Sequence, residues 1–360
     1  MSKRVADLLV ETLQAAGVKT CYGIVGDTMN RIAHAIDRSQ IDWVHMRHEE
    51  AGAFAAGAEA LLTGRLTACA GTCGPGSLHF INGLYEANRN RAPVILIATQ
   101  IVRQDLGFES IQEIDYEDVF KGCSVYCEMI LTPEQARRKT VAACQAAVTK
   151  RGVAVLVVPA DIANATAHGE APYAVHARRP LIRPSDADLD EIAAILNKSE
   201  AITIYAGAGC AGAHDEVVAV AARLKAPIVH TSRGKDFLEY DNPYNVGMTG
   251  MLGGPAGYHA VLDCDVLLLL GADFAWSQFY PDRATIIQID VDPTHIGRRH
   301  PVAIGAVGDI KTTLGALLPR LEQHEDGSFL GSMWTGSSGS GHRRRLRLCR
   351  VPTLPSTVLT

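Results

Sequence analysis

The sequence predicts an α/β protein of two doubly wound parallel-sheet domains in series. Three observations carry this prediction. Short, mainly apolar, β-rich runs such as Val94 to Thr99 and Val153 to Pro159 alternate with segments of helical spacing. That alternation marks βαβ units and a parallel sheet. Most of the runs end in a glycine-bearing or polar turn, as at Gly26-Asp27 and Gly207-Ala208-Gly209. Ligands of open parallel sheets gather at that carboxyl edge. The alternation breaks once, at residues 171–184, where Pro172, Pro180 and Pro184 fall among few apolar repeats. This stretch reads as a linker between a domain at 1–170 and a second at 185–330.

Composition agrees with that size and narrows the function. The 360 residues suffice for two domains, and 47% apolar with 20% charged residues supplies a large core. A net charge of -5 gives no general reason to expect nucleic-acid binding. No apolar run is long enough to span a bilayer. The start, Met1 to Asp7, turns polar too soon for a signal peptide, so a cytoplasmic protein is expected. The nine cysteines are odd in number and sit mostly in apolar segments, which fits reduced thiols. Cys69/Cys73 and Cys123/Cys127 are spaced i, i+4 without a second pair, so no metal site is expected.

In chain order, Val5, Leu8, Leu9 and Leu13 define a helix from Val5 to Ala16, closed by Gly17. Thr20 to Val25 reads as a buried strand. Gly26 to Asn30 is then either a plain βα turn or a place where backbone meets a ligand. Ile41 to Met46, Leu66 to Gly71, Val94 to Thr99 and Val153 to Pro159 are further strands. Between the second and third lies Arg47-His48-Glu49-Glu50, running into an Ala/Gly-rich tail through Ala60. The tail reads as a helix that packs closely on a neighbour. The head puts a carboxylate at its positive end. After the third strand comes Gly74-Pro75-Gly76-Ser77-Leu78-His79-Phe80-Ile81-Asn82-Gly83-Leu84-Tyr85. A Gly-Pro-Gly tripeptide alone marks only a turn.

Together the Glu49 and Gly74–Tyr85 segments resemble the pyrimidine-binding domain of thiamine-diphosphate (ThDP) enzymes. His79 and Asn82 are most similar to the pyruvate oxidase branch, the quinone-linked pyruvate dehydrogenases; Asn90 to Ile95 also matches. The resemblance implies that Glu49 is the catalytic carboxylate. It implies that the aminopyrimidine is held around Val25, Gly26, Pro75, Gly76, His79 and Asn82. It also places Gln112 near the cofactor as a catalytic residue, although Ile111 stands where an aromatic residue is expected.

In the second segment, Asp186 to Asn197 is a helix and Ala201 to Ala206 a strand. Gly207-Ala208-Gly209-Cys210-Ala211-Gly212 follows, before a helix from Asp215 to Leu224. This is the dinucleotide fingerprint order, weak as a lone match. Pro227 to Thr231, Val266 to Leu270 and Thr285 to Asp290 are further strands. Asp290 can take hydrogen bonds from a ribose or cap the next turn. Val229 to Lys235, Asn242 to Gly250, Leu270 to Phe274 and Ile287 to Pro293 are similar to the central domain of the same family. That domain binds FAD in the flavin-dependent members. The resemblance then implies FAD contacts at Gly207, Gly209, Arg233, Thr249, Gly250, Met251 and Leu252. It adds Ala272, Asp273, Phe274, Ala275 and Trp276, then Asp290, Val291, Asp292, Pro293 and Thr294.

The resemblance ends near Leu330. Gly331 to Gly341 is Gly/Ser-rich and His342 to Arg350 strongly basic, so residues 331–360 are expected to be a disordered tail. The family's Gly-Asp-Gly…Asn-Asn magnesium motif is not found; Gly26-Asp27 and Gly308-Asp309 lack its remainder. The expectation is that a shifted frame or premature end has replaced the third domain. The chain would then hold half of a ThDP site, with Mg²⁺ bound only by the missing domain. The implied activity is oxidative decarboxylation of pyruvate or a similar 2-oxo acid. Acetolactate synthase chemistry and a non-catalytic nucleotide-binding remnant are the alternatives. A homo-oligomer is implied, a dimer-based tetramer in the family. Membrane or quinone contact has no support in the chain.

Overall fold

The computed structural model describes residues 3–168, 174–176 and 180–335. The chain divides after residue 179 into two units, each with its own parallel sheet. The first holds β1 (Thr20–Ile24), β2 (Asp42–His45), β3 (Thr67–Gly71), β4 (Val94–Gln100), β5 (Tyr126–Met129) and β6 (Val153–Pro159) in the order β2-β1-β3-β4-β6-β5. Every pairing is parallel, in register from Cys21↔Ala68 between β1 and β3 to Val94↔Val153 between β4 and β6.

A strand buried on both faces must be apolar on both, and β4 shows how this sheet divides its neighbours. Ile95 and Ile97 enter a core with Leu9, Leu13, Ile32 and Ile36. Val94, Leu96 and Ala98 enter the opposite core with Ala53, Phe80 and Leu84. In that second layer the Ala/Gly-rich helix Glu49–Thr63 lies against the helix Ile81–Arg89. A Cβ on Gly83 would stand 2.5 Å from that of Ala53, so the close approach needs glycine there. The expected small-residue packing is therefore found, and its partner is the helix that follows His79.

The second unit holds β7 (Ile202–Ala206), β8 (Ile228–His230), β9 (Asn245–Met248), β10 (Val266–Leu270), β11 (Thr285–Asp290) and β12 (Ile304–Val307), all parallel, in the order β12-β11-β10-β7-β8-β9. Strand order reverses between β7 and β10, as it does between β1 and β3 in the first sheet. Crevices of this kind, where neighbouring strands send their loops in opposite directions, are where open α/β sheets take ligands.

Two expectations need revision. Residues 331–335 are not tail: they complete the helix Ser328–Thr335. Phe329 and Met333, one turn apart, bury that helix against Tyr205, Val261 and Leu267. The expected disorder of 336–360 lies outside the described residues. In the linker, the Ile182 carbonyl accepts the Asp309 N–H at 2.8 Å, so the last residues of 171–184 are held by the second unit. No helix among the described residues is long and apolar enough to cross a membrane.

Candidate functional site

The loops that end β1 and β3 converge with the head of the helix Glu49–Thr63. Gly26 is extended at φ -149°. A Cβ there would lie 2.4 Å from Thr72 Cβ, and one on Gly76 would lie 2.6 Å from Thr72 Cγ2. Thr72 is thus wedged between two positions that carry no side chain. The same hypothetical Gly76 Cβ would lie 3.7 Å from Glu49 Oε1, an ordinary contact distance. Glu49 is buried, with 9% of its side chain exposed, and its Oε2 lies 3.0 Å from His79 Nδ1. A buried carboxylate facing a wall without side chains suits a flat, nitrogen-bearing ring.

Around this centre the expected residues separate. His79 touches Glu49, whereas Asn82 donates to Glu50 at 3.3 Å on the exposed side. Val25 is exposed at the end of β1. Pro75 opens the short helix Pro75–Leu78 that carries His79 at its end. The Gly74 N–H donates to the Tyr116 hydroxyl at 2.6 Å, and burial pushes that phenol up to about 12. Gln112 has a positive φ of 69° and packs over Gly74, its Oε1 3.5 Å from Cys73 Sγ. Ile111 beside it is exposed.

Two residues were not singled out from the sequence. One is Thr72. The other is His48, which accepts the Glu50 N–H as the helix N-cap and stacks on His79 with ring centroids 4.8 Å apart. No short motif marks a contact between residues 48 and 79. His48, Glu49 and His79 offer ligand atoms within 4.8 Å of one another, a set absent from the cysteine-based metal expectation. The two rings are nearly parallel, at 24°, so a cation in the plane of one lies off the plane of the other.

In the second unit, the glycine fingerprint lies against the end of β10. The Gly207 N–H donates to the Leu270 carbonyl at 2.9 Å and the Gly209 N–H to the Gly271 carbonyl at 3.0 Å. These glycines let the β7 and β10 loops touch at the switch point. The helix His214–Leu224 carries Asp215 and Glu216 in its first turn, which oppose a phosphate there.

The other candidate contacts lie on the same carboxyl edge. Gly250, at φ +95°, lies against Phe274, which meets Tyr205 edge-on at 5.0 Å and Trp276 at 5.6 Å. Met251, Leu252 and Trp276 expose apolar surface beside them. The buried Thr249 Oγ1 and Tyr205 hydroxyl have no hydrogen-bond partner among the described residues. Buried polar groups are nearly always satisfied, so such orphans ask for a ligand's polar atoms. A flat, apolar ring system with polar edges fits this set. Ala272 is buried, Ala275 is exposed, and Arg233 is exposed on the turn Ser232–Gly234.

At the end of β11, Asp292 rather than Asp290 caps the next turn, accepting the Thr294 N–H at 2.9 Å. Asp290 Oδ1 accepts the Asp292 N–H at 2.9 Å and lies 3.2 Å from the Nδ1 of buried His295. The neighbouring Val291, Pro293 and Thr294 are exposed. Asp273 is engaged by both Arg298 and Arg299, the latter through Nε at 2.9 Å. Burial by itself would raise that carboxyl; the two guanidinium groups outweigh it and hold the group well below the usual carboxylate range. A depressed folded-state value adds stability above the unfolded value of about 4, lost as pH falls through the folded one. Asp273→Asn is therefore expected to lower the melting temperature at neutral pH, with the gap from wild type narrowing as pH drops below about 4. Melting curves across that range check it.

With the geometry in place, comparison with known proteins is informative. Residues 3–119 match the family model "Thiamine pyrophosphate enzyme, N-terminal TPP binding domain", and residues 189–317 match "Thiamine pyrophosphate enzyme, central domain". The chain is 50% identical to an "Uncharacterized 42.6 kDa protein in isoamylase 3'region" of Pseudomonas amyloderamosa, over 91% of this chain and 83% of that protein. It is 29% identical to a pyruvate oxidase of Lactiplantibacillus plantarum, over 88% of this chain and 54% of the oxidase. It is 31% identical to a probable acetolactate synthase large subunit of Methanocaldococcus jannaschii, over 88% of this chain and 56% of the synthase. The chain thus spans little more than half the length of the two named enzymes.

Proposed function

The chain belongs to the thiamine pyrophosphate enzymes, and from that premise we propose that its first unit holds the aminopyrimidine of ThDP and its second holds FAD, in an enzyme that oxidatively decarboxylates pyruvate. The observation that carries the first half is the buried Glu49 carboxylate, bonded to His79 and lying against Gly76, with Thr72 between Gly76 and Gly26. When bound, ThDP supplies carbanion chemistry and FAD a two-electron sink. Glu49 shares a proton with the pyrimidine ring nitrogen. Its low exposure keeps water from competing for that proton. His79 orients the carboxylate from the side away from Gly76, and Gln112 lines the approach over Gly74. In the second unit, Thr249 and Tyr205 offer their orphan hydroxyls to the flavin, while Phe274 and Trp276 supply apolar contact.

The magnesium motif that would hold the diphosphate is not among these 360 residues. That arm of ThDP therefore needs residues from outside them, as part of a dimer-based assembly. Purified as these residues, the protein is expected to be yellow and to stay yellow when pyruvate, ThDP and Mg²⁺ are added. A separately supplied diphosphate-binding domain is expected to make pyruvate bleach the flavin bands. A colourless protein sinks the flavin assignment; bleaching without the added domain sinks the half-site argument. A second reading, acetolactate synthesis, has comparable support from the methanogen relative at 31% identity. Acetolactate formation measured against dye reduction separates the two.

A further inference from the structure

We propose that Thr28 is a positioning residue: its hydroxyl is the hub that ties the Gly26 loop to the Cys73–Gly76 loop and to β4, and so sets the width of the pyrimidine cradle. The proposal rests on the reading that this crevice takes the aminopyrimidine ring. It concerns a residue that no motif or resemblance singled out.

Thr99 Oγ1, fully buried at the end of β4, donates to the Gly71 carbonyl at 3.0 Å. Thr72 Oγ1 donates to Asp27 Oδ1 at 2.8 Å. A carbonyl or carboxylate oxygen accepts in such a bond, so each threonine spends its proton where it makes one. Thr28 Oγ1 lies 2.6 Å from Thr99 Oγ1 and 2.9 Å from Thr72 Oγ1. Its single proton goes to Thr99 along the shorter contact, and the Thr72 contact carries a proton when Thr72 turns its own from Asp27 toward Thr28. Its remaining capacity accepts the Cys73 N–H at 3.0 Å. Donation thus runs from Thr28 through Thr99 to the Gly71 carbonyl, while Thr72 is shared between Asp27 and Thr28.

That hydroxyl lies at the switch point between β1 and β3. Thr72, which it fixes, is the side chain wedged between the bare faces of Gly26 and Gly76. Moving Thr72 changes the gap between those faces, and Gly76 is also the wall beside Glu49. None of Thr28's hydrogen bonds is to Glu49. It acts on the ring through Thr72 and the Cys73 amide.

The test uses the 360-residue chain, with thiamine as the probe and two readouts. Ligand-observed NMR gives thiamine affinity, and hydrogen exchange gives protection of the Cys73 amide. Thr28→Val keeps the shape and removes the hub. It is expected to weaken thiamine about tenfold, the worth of one or two net hydrogen bonds, and to speed Cys73 exchange by a similar factor. Thr28→Ser keeps the hydroxyl and is expected to restore both. A generally loosened fold would not be rescued by serine and would show in the melting temperature. Wild-type affinity in Thr28→Val, or a serine variant as weak as valine, overturns the proposal. If the wild-type chain does not bind thiamine, the pyrimidine reading fails on its own. The hub is then judged on exchange, and unchanged Cys73 protection in Thr28→Val overturns it. Should Thr28→Val not fold, Thr99→Val removes the shortest bond from the far side and is read in the same way.

Discussion

Glu49→Gln is expected to lower exchange of the thiazolium C2 proton by roughly a hundredfold to ten-thousandfold in the assembly that contains the diphosphate-binding half, the usual range for a lost acid-base group. Glutamine keeps the length of the side chain and can still hydrogen-bond a ring nitrogen or His79. What it cannot do is hold the shared proton. Ring binding should therefore change little while proton transfer collapses. The substitution also removes a negative charge from the first residue of a helix, which costs about 0.3–1 kcal/mol of stability. That is too little to unfold the unit. Deuterium exchange followed by NMR, with thiamine affinity measured in parallel, separates the two effects. An unchanged exchange rate would remove Glu49 from the chemistry. Parallel loss of affinity and rate would make it a binding residue only.

The second large effect is expected at the β7–β10 junction. Gly209→Ala places a Cβ 2.6 Å from Gly271 Cα and 3.1 Å from its carbonyl oxygen. Neither loop can retreat freely, because the Gly207 and Gly209 N–H groups are bonded to the Leu270 and Gly271 carbonyls. Gly271 itself sits at φ +52°, a conformation that another residue would resist. Overpacking of this kind costs about 1–3 kcal/mol. The same shift displaces the loop after β10 that presents Phe274, so flavin should be lost on purification. Gly212→Ala is the control: Gly212 has φ +77° but open space around it, so it should cost about 1–2 kcal/mol and leave the flavin in place. Melting curves and visible spectra of the two variants decide. A yellow Gly209→Ala protein with wild-type stability would refute the junction's role.

The sequence was legible where burial is two-sided. The strands β3, β4, β6, β7 and β10 are buried at every position; β6 and β10 are unbroken apolar runs, and the others carry only Thr67, Thr99, Gln100 and Thr203 among apolar residues. The strands that went unread are β5, β9 and β12. All three are sheet edges, short and only partly buried, and Glu128, Gly247 or Gly305 interrupts the β-rich pattern of each. The helix Ser328–Thr335 was hidden by Gly331 and Ser332, although Phe329 and Met333 stand at helical spacing. In the first site, Glu49, Gly26, Gly76 and His79 were legible through resemblance and lie close together. Thr72 and His48 were not, because their roles come from contacts with residues distant in the chain. The Gly207-x-Gly209 pattern correctly marked a close backbone approach, but a motif does not say what approaches; here it is the end of β10.

The all-parallel pairing also governs the order in which the molecule can assemble. With no hairpin in either sheet, neither can start from a turn and zip outward; each pairing waits for a crossover to be made. In the second sheet the central partners are Ile202 and Val266, so β7 stays without its inner neighbour until β8, β9 and the helix after them have been made. The first sheet closes its last pairing at β6, before any residue of the second unit is needed. A growing chain can thus finish the Glu49 crevice while the second sheet is still an unpaired strand. Topologies of this kind fold slowly. During synthesis, the exposed edge of β7 is the segment most open to pairing with the wrong chain.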